Sequence, residues 1–347
     1  MNRSPALAVG ASLLGAFGIL LGLEGAMALA LGTPPGSGPD GFERARRSWY
    51  MDHERQIAQY RPECAEHDAA VGYRLRPGAC RFGNREFDTR LEINSLGVRD
   101  SEAALEAPRI VVTGDSFAMG WGVEQDETLS AVLARETGEP TLNLAVSSYG
   151  TARQLIGLAR ADLSQAHSLV VQYCENDYTE NRTFQLRRGN LGTMSPETYA
   201  DTVERHLEAT RYFPGRYLLR FFPLWWRSAQ PTPAATPRPC ALDADAFLDV
   251  LTLAEPPPLP AGRRLRLVVF EGLYGLDRQA CFAAELARQA TGRTLPAWVS
   301  ELRSFDSSDV LSEDDSYPLD EHWRASGHAK LAAAVAAELS GASGPAQ

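Results

Sequence analysis

A serine, a histidine and an aspartate in this 347-residue chain have the types and positions that nucleophilic chemistry requires. Ser116 follows the apolar run 110–112 in the stretch Thr-Gly-Asp-Ser. Asp320 and His322 lie two residues apart, just before the last helical pattern. A serine hydroxyl becomes a nucleophile when a base takes its proton, and the base needs an acceptor that fixes its tautomer. The set predicts Ser116 as nucleophile, His322 as base and Asp320 as orienting group.

The tetrahedral intermediate of such a reaction needs hydrogen-bond donors for its oxyanion. Polar segments that follow the second and third strand patterns contain candidates: the backbone amides of Ser148 or Gly150, and the side-chain amide of Asn176. The Ser116 amide is a further candidate. Taken singly, Gly-Asp-Ser and Asn-Asp are common turn sequences. The prediction therefore depends on all these segments meeting at one place.

Alternating strand and helix patterns supply that place. Strand patterns occupy 109–113, 140–146, 168–174, 264–270 and 298–302. Helical patterns occupy 126–137, 151–163, 196–212, 243–253, 278–290 and 324–340. Such alternation predicts an α/β protein with a parallel sheet covered by helices on both faces. The carboxyl ends of the strands then share one edge, where functional residues of these folds collect.

The order of these segments resembles the SGNH, or GDSL-type, hydrolases over residues 92–340. Gly-Asp-Ser follows the first strand, a glycine-containing loop the second and Asn-Asp the third, and an Asp/His pair precedes the last helix. The stretches GDSFAMGWGV and HWRASGH extend the similarity. The resemblance implies a three-layer α/β/α, flavodoxin-like sandwich and a serine esterase that needs no cofactor or metal. It also implies oxyanion donors at Ser116, at Ser148 or Gly150, and at Asn176.

Three positions depart from the family pattern. Ser148 stands where the family has a glycine, so its backbone must tolerate the required dihedral angles, and Gly150 is the alternative. The pair is spaced Asp-x-His, whereas many members have Asp-x-x-His. Glu175 precedes Asn176 where glycine is common, and its charge would disfavour anionic substrates. His328 is a rival base, but its place in the last helical pattern favours a structural role.

The expected reaction removes an O-acyl group, such as O-acetyl, from an envelope carbohydrate or a lipid ester. An O-acyltransferase would use the same acyl-enzyme and differ only in the acceptor. A carbohydrate-binding protein with this fold is the non-catalytic alternative, but binding alone does not need the serine and histidine together. The net charge of −10 argues against a nucleic-acid partner. Oligomeric state is not indicated by the sequence.

The apolar stretch 7–31 predicts that the protein is exported. As a helix it would span about 37 Å, against a hydrocarbon core of about 30 Å, and Glu24 is its one charge. Arg3 before it suits a cytoplasmic N-terminus. We expect a membrane anchor that leaves the rest of the chain on the periplasmic or extracellular side. The alternative is a signal peptide cleaved after the small-residue site at 26–28.

Three regions are expected: 1–33 as signal anchor, 34–105 as a linker with a small β-rich part, and 106–345 as the hydrolase domain. The alternation of strands and helices in that domain is interrupted by an insertion at about 183–262, which contains the aromatic stretch RYLLRFFPLWWRS. We expect this stretch to form a helix that packs against the core, or alternatively near the site or the membrane.

The five cysteines lack metal-ligand spacing. In an oxidising compartment four can pair, and we expect Cys64 with Cys80 and Cys240 with Cys281. Cys174 ends an apolar run and is expected to be a buried free thiol. The alternative is five independent cysteines.

Overall fold

The computed structural model describes residues 5–230, 238–272 and 281–341. It divides the chain into two compact units. The smaller comprises Met1–Arg55 and His206–Thr236, and the larger Gln56–Arg205 and Pro237–Gln347. Part of the Pro/Ala-rich end of the predicted insertion and the last residues of the predicted 106–345 domain lie outside the described residues, as does Arg3.

The described residues form nine strands and eleven α-helices. The strands are β1 (Ala65–Asp68), β2 (Gly72–Leu75), β3 (Gly78–Gly83), β4 (Asp88–Ile93), β5 (Ile110–Thr113), β6 (Thr141–Asn143), β7 (Ser168–Tyr173), β8 (Leu265–Glu271) and β9 (Val299–Phe305). The helices are α1 (Pro5–Leu31), α2 (Asp40–Trp49), α3 (Ser116–Met119), α4 (Leu129–Thr137), α5 (Thr151–Leu158), α6 (Asp177–Leu186), α7 (Pro196–Thr210), α8 (Phe222–Ser228), α9 (Cys240–Leu253), α10 (Phe282–Thr291) and α11 (Ala325–Ser340).

The larger unit is built on a parallel sheet with the strand order β6-β5-β7-β8-β9. Counted from its first strand this is the order 2-1-3-4-5 of flavodoxin-like folds. Val111 of β5 pairs with Leu142 on one side and Leu169 on the other. Every residue of β5 and β7 is buried, as expected for apolar strands covered on both faces. The predicted α/β fold class and its five strands are confirmed.

Helices cover both faces of this sheet because crossovers between parallel strands are right-handed. The chain steps from β5 to β6 in one direction and then returns past β5 to β7. The connecting helices α4 and α5 therefore lie on opposite faces. α11 packs on α4, whereas α6 and α9 pack on α5 and α10 packs on α9. The result is a three-layer α/β/α sandwich.

Two antiparallel hairpins, β1-β2 and β3-β4, belong to the same unit as the sheet. Their buried side chains, such as Tyr73 and Phe82, join the core that contains β5 and β7. The compact unit therefore begins at Gln56 and not at the expected boundary near 106, because the β-rich part has no core of its own.

Both expected disulfides are present. Cys64 and Cys80 join the start of β1 to β3, and Cys240 and Cys281 join the starts of α9 and α10. Cys174 is buried and free. The cysteine predictions are therefore confirmed.

The smaller unit contains α1, α2, α8 and two π-helical turns, Tyr50–Glu54 and Tyr217–Phe221. Its core joins Leu31 at the end of α1 to Phe42, Trp49 and Phe221. The buried Arg46 of α2 donates to two carbonyls that follow α1. The predicted insertion is thus divided, since His206–Thr236 lies in this unit and its flanking parts lie in the other.

One described helix, Leu13–Leu31 of α1, is long and apolar enough to cross a membrane. Most of its described side chains are exposed, including Leu14 and Phe17. A signal sequence near the N-terminus also meets this criterion of length and apolarity, so both expected interpretations of the segment stay open.

Candidate active site

Ser116 is presented by a sharp turn at the carboxyl end of β5. Gly114 follows the strand, and a Cβ added there would lie 2.5 Å from Oε1 of Gln172 and 2.7 Å from Cβ of Ala118, so a larger residue would force the turn to shift. Asp115 caps α3, its side chain accepting from the Phe117 amide at 3.0 Å. Ser116 is the first helical residue, and the first N–H groups of a helix have no intrahelical acceptor. The Ser116 amide therefore has no acceptor within α3.

Gln172, on the adjacent strand β7, holds this turn in place through hydrogen bonds of its side chain. Its Oε1 accepts from the amides of Asp115 at 2.9 Å and Ala118 at 3.3 Å, and its Nε2 donates to the Tyr173 carbonyl. The side chain is fully buried. Sequence reasoning missed this residue, although a glutamine inside the apolar strand SLVVQYC is the signal that could have indicated it.

Ser116, His322 and Asp320 form a continuous hydrogen-bonded relay. Ser116 Oγ lies 2.7 Å from His322 Nε2, and His322 Nδ1 lies 2.5 Å from Asp320 Oδ1. All three are buried, and Ser116 is the most accessible at 4% exposed. The first strand of the sheet supplies the serine, and the loop between β9 and α11 supplies the other two. The arrangement places a base on the hydroxyl and an acceptor behind the base.

The short Asp-x-His spacing works because of the residue between. Glu321 has φ of +65°, in the left-handed region, where non-glycine residues are uncommon. The chain is held in this bend by two backbone hydrogen bonds, from Glu321 to the Tyr317 carbonyl and from Tyr317 to the His322 carbonyl. Asp320 and His322 can then direct their side chains toward each other.

Glu86, in the turn between β3 and β4, also holds the loop that contains Asp320 and His322. Its Oε2 accepts from the amides of Leu319 at 3.0 Å and Asp320 at 2.8 Å. Burial raises the pKa of Glu86, and the two amide donors oppose that shift. The sequence contains no local sign of this contact.

Two aromatic rings enclose the imidazole. The Trp121 ring is stacked on His322 with centroids 4.8 Å apart and planes at 17°, and Phe117 lies against it at 4.6 Å. The ring plane of His322 is thus restrained by packing as well as by hydrogen bonds.

The predicted oxyanion donors lie on both sides of the Ser116 turn. Ser148 follows β6 and Asn176 follows β7, and these strands flank β5. Both residues are exposed. Ser148 has φ of +59°, the conformation that favours glycine. Its hydroxyl accepts from Gln59 at 2.9 Å, and the Tyr73 hydroxyl donates to the preceding carbonyl at 2.7 Å.

Gly150 is placed differently. Its backbone lies against the side chain of Glu180, because a Cβ added to Gly150 would lie 2.9 Å from Glu180 Oε1. Gly150 is buried at the start of α5, whereas Ser148 is exposed and lies closer to the end of β6.

Arg238 fastens the loop that contains Asn176. Its guanidinium donates to the Glu175 carbonyl at 2.8 Å and lies over the Tyr178 ring, 4.1 Å from the centroid. The same group makes two hydrogen bonds of 2.7 Å to Asp243. Because Asp243 is on α9, this chain of contacts ties the Asn176 loop to the helical layer.

Two buried carboxyl groups, Asp115 and Asp177, underlie the site. Burial raises the pKa of Asp177 well above its usual range, and it raises that of Asp115 as well. The charge of Asp115 also raises the pKa of Asp177. The Thr151 hydroxyl donates to Asp177 at 2.8 Å. The raised pKa values favour the neutral forms of both carboxyl groups.

His328, the rival base, is placed between α11 and α4 and not in the relay. Its Nδ1 accepts from the Leu129 amide at 3.1 Å, and its ring packs against Trp323. Burial lowers the pKa of His328 to about 3. A neutral, buried imidazole with an occupied Nδ1 has a structural role.

The fold and the site together define a flavodoxin-like α/β protein with a serine relay at the carboxyl edge of its sheet. No protein-family model matches the chain, and no curated protein matches it. Solved structures that align with it include an inhibitor-bound aryl esterase of M. smegmatis, at 14% identity over 68% of this chain and 99% of that one, with a TM-score of 0.33.

A GDSL-like lipase of Bacteroides thetaiotaomicron aligns at 9% identity over 70% of this chain and 92% of its own, with a TM-score of 0.32. A salicylyl-acyltransferase from a tetracycline biosynthetic pathway aligns at 16% over 68% and 55%, with a TM-score of 0.34. These likenesses are distant, and the fold class follows from the strand order and register of the sheet itself.

Proposed function

We propose that the protein is an exported, membrane-anchored serine hydrolase that cleaves O-acyl esters through an acyl-enzyme on Ser116. The observation that carries the proposal is the relay from Ser116 Oγ through His322 to Asp320, at 2.7 and 2.5 Å. Its place at the carboxyl edge of a parallel sheet, where such folds hold their ligands, supports it further.

In the first half-reaction, Ser116 Oγ attacks the ester carbonyl carbon as His322 Nε2 takes the hydroxyl proton. Asp320 stabilises the imidazolium and keeps Nδ1 protonated. The tetrahedral oxyanion accepts hydrogen bonds from the Ser116 amide, the Ser148 amide and the Asn176 side chain. Collapse breaks the bond to the alcohol, which leaves with the proton from His322, and the acyl group stays on Ser116.

In the second half-reaction, His322 takes a proton from water, and the resulting hydroxide attacks the acyl carbonyl. The Ser116 oxygen leaves with the proton held by His322, which releases the acid and restores the relay. An O-acyltransferase differs only in that a sugar hydroxyl replaces water.

We assign Ser148 as a donor in preference to Gly150, because Ser148 is exposed whereas Gly150 is buried against the side chain of Glu180. The substrate class follows from the compartment: an O-acyl group on an envelope carbohydrate or a lipid ester. The exposed Glu175 beside Asn176 favours neutral substrates over anionic ones. The exposed apolar surface of α1 supports anchoring, and two disulfides support an exported location.

The direct test is reaction with a fluorophosphonate followed by intact-mass measurement of the purified full chain in detergent. We expect one adduct, located on Ser116 by peptide mapping and absent from Ser116→Ala. Ser168 offers a matched control, because its Oγ lies 2.8 Å from His167 Nδ1 and His167 Nε2 lies 2.6 Å from Glu139. Ser168→Ala should be labelled like the wild type. Labelling of Ser116→Ala at the wild-type rate would refute the proposal.

Acyl preference and acceptor are measured on p-nitrophenyl esters from acetate to octanoate, with and without a sugar alcohol. Release of free acid that is unaffected by the alcohol indicates a hydrolase, whereas an acylated alcohol indicates a transferase. Anchoring is tested by carbonate extraction of membranes. A soluble product that begins near residue 29 would instead indicate a cleaved signal peptide.

A further inference from the structure

The smaller unit exposes an apolar strip on the helix that runs through 217–228. Leu219, Phe222 and Trp226 form this strip and are 69%, 45% and 65% exposed. Their spacing puts them on one side of the helix. The opposite side is buried, with Phe221 against Phe42 and Trp49. A helix that is apolar on both sides and covered on only one of them needs a further apolar partner.

The same helix is hydrogen-bonded to α1 through Glu24. The two carboxylate oxygens of Glu24 accept from the amides of Tyr217 at 3.1 Å and Leu218 at 3.0 Å. These amides belong to the first turn of the helix, which has no intrahelical acceptors and carries positive partial charge. Glu24 is 6% exposed, although the side chains around it on α1 face outward. The one charge of the apolar segment thus has a specific partner.

The position of Glu24 sets the depth of this contact. It lies about 10 Å before the end of α1, at a rise of about 1.5 Å per residue. Half of a bilayer's hydrocarbon core is about 15 Å thick. If α1 spans the bilayer, the helix at 217–228 begins below the membrane surface and lies beside the last turns of α1. Met27, Ala30 and Leu31 of α1 pack in the same cluster as Tyr217 and Trp225.

Charged and aromatic residues around the strip match the headgroup layer. Arg220 and Arg227 are exposed on the same helix, and Arg211 and Tyr212 are exposed just before it. Arginine side chains extend from apolar surface to reach phosphates, and tryptophan and tyrosine are enriched at membrane interfaces. The basic, aromatic composition is that of a helix lying in the interface plane.

We infer that the helix at 217–228 is an interfacial helix, which inserts Leu219, Phe222 and Trp226 into the outer acyl chains of the bilayer that α1 spans. Glu24 is its polar tether. The inference rests on the proposed membrane anchorage but not on the proposed chemistry of Ser116. The partner is the lipid bilayer, because the helix that carries the strip packs in one compact unit against α1, whose own side chains are apolar and exposed.

The test uses the full chain in phosphatidylcholine and phosphatidylglycerol vesicles, with an environment-sensitive fluorophore on a single introduced thiol. Leu219→Cys and Trp226→Cys report on the strip, Leu20→Cys reports on α1, and the exposed Ser95→Cys of the larger unit is the matched control. Cys174 is buried and the other four cysteines form disulfides. In the folded protein the fluorophore should therefore react with the introduced thiol.

We expect doxyl groups near the headgroup to quench the labels at Leu219 and Trp226, and doxyl groups deep in the acyl chains to quench the label at Leu20. The Ser95 label should be quenched only by aqueous iodide. If the Leu20 label is lipid-quenched and both strip labels respond to iodide alone, the inference fails while the anchor stands. If no label is lipid-quenched, the anchor fails with it. Energy transfer between strip labels of two molecules, without lipid quenching, would show that a second copy covers the strip and would also overturn it.

The tether is tested by Glu24→Leu and Glu24→Gln in the Leu219→Cys chain. Leucine removes the acceptor, so we expect loss of headgroup-level quenching at Leu219 while the protein remains resistant to carbonate extraction. Glutamine keeps one acceptor oxygen and should preserve most of the quenching. Unchanged quenching in Glu24→Leu would show that Glu24 does not hold the helix.

Discussion

Replacing His328 by asparagine removes a proton-binding group from the buried contact between α11 and α4 while keeping an acceptor there. His328 Nδ1 accepts from the Leu129 amide at 3.1 Å. The amide oxygen of asparagine stands at a similar distance from the backbone and can accept the same hydrogen bond, but it does not titrate. The substitution therefore separates the acceptor role of His328 from its protonation.

The magnitude follows from the pKa of His328 in the folded chain, which burial and the nearby Arg99 lower to about 3. The unfolded chain binds this proton with a pKa of about 6.5. As the pH falls, the unfolded state is protonated first, so the stability contributed by neutral His328 is complete above about pH 6.5 and is lost toward pH 3. Wild-type protein should lose about 2 kcal/mol between pH 7 and 5 from this residue, and about 4 kcal/mol by pH 3.

The assay is urea unfolding of the detergent-solubilised chain at pH 7 and pH 5, followed by tryptophan fluorescence. His328→Asn should be less stable than wild type at pH 7, because the ring that packs on Trp323 is lost. Its free energy of unfolding should nevertheless fall less between the two pH values, by about 2 kcal/mol. Leu331→Ala, which removes a buried side chain from the same helix, is the control and should keep the wild-type pH dependence.

Equal losses of stability between pH 7 and 5 in wild type and His328→Asn would refute this reasoning. The imidazole would then not be a buried neutral acceptor, and the proton uptake that destabilises the fold would have to occur elsewhere.

Three further predictions concern the relay and its supports, each measured as kcat and KM on p-nitrophenyl acetate. Asn176→Ala should lower kcat by about 10²–10³ with little change in KM, because one oxyanion donor is lost. Ser148→Gly should keep most of the activity, whereas Ser148→Val should lose it, because a β-branched residue resists the left-handed backbone at φ of +59°. Glu86→Ala should lower kcat and destabilise the fold by about 1–3 kcal/mol, since the Leu319 and Asp320 amides lose their acceptor, and Glu86→Gln should restore part of both. Wild-type kcat in Asn176→Ala, equal activity of the two Ser148 variants, or unchanged stability in Glu86→Ala would contradict the respective assignment.

The sheet could be predicted from the sequence because its strands are short apolar runs flanked by polar residues and glycines. The strand at 140–146 was too long in that prediction, since the structure ends β6 at Asn143. The Asn143 side-chain oxygen accepts from the Ala145 amide at 3.0 Å, which is an Asx turn at the end of the strand. The left-handed backbone at Ser148 could be suspected from the sequence, because Ser148 stands where the family has a glycine.

The supports of the site could not be predicted, because their partners are distant in the chain. Glu86 and Asp320 are separated by 234 residues, and Gln172 reaches the Ser116 turn from another strand. Periodicity and motifs describe neighbours in sequence and carry no information about such pairs. The division of the chain near Arg55 was missed for the same reason, since it depends on which core the hairpins join.

The group formed by Ser168, His167 and Glu139 shows what strand direction contributes to the site. It has the same kinds of side chain as the relay, at similar distances, but it stands where β7 begins. There the Ser168 amide donates to the Arg109 carbonyl within the sheet pairing. Ser168 is the first residue of its strand, so its amide is used in the hydrogen bonding of the sheet. Ser116 comes just after its strand and begins a helix, so its amide has no acceptor within that helix. Strand direction thus distinguishes two chemically similar groups in one sheet: of the two serines, only the proposed nucleophile, which follows its strand, carries its hydroxyl and a helix-opening amide on the same residue.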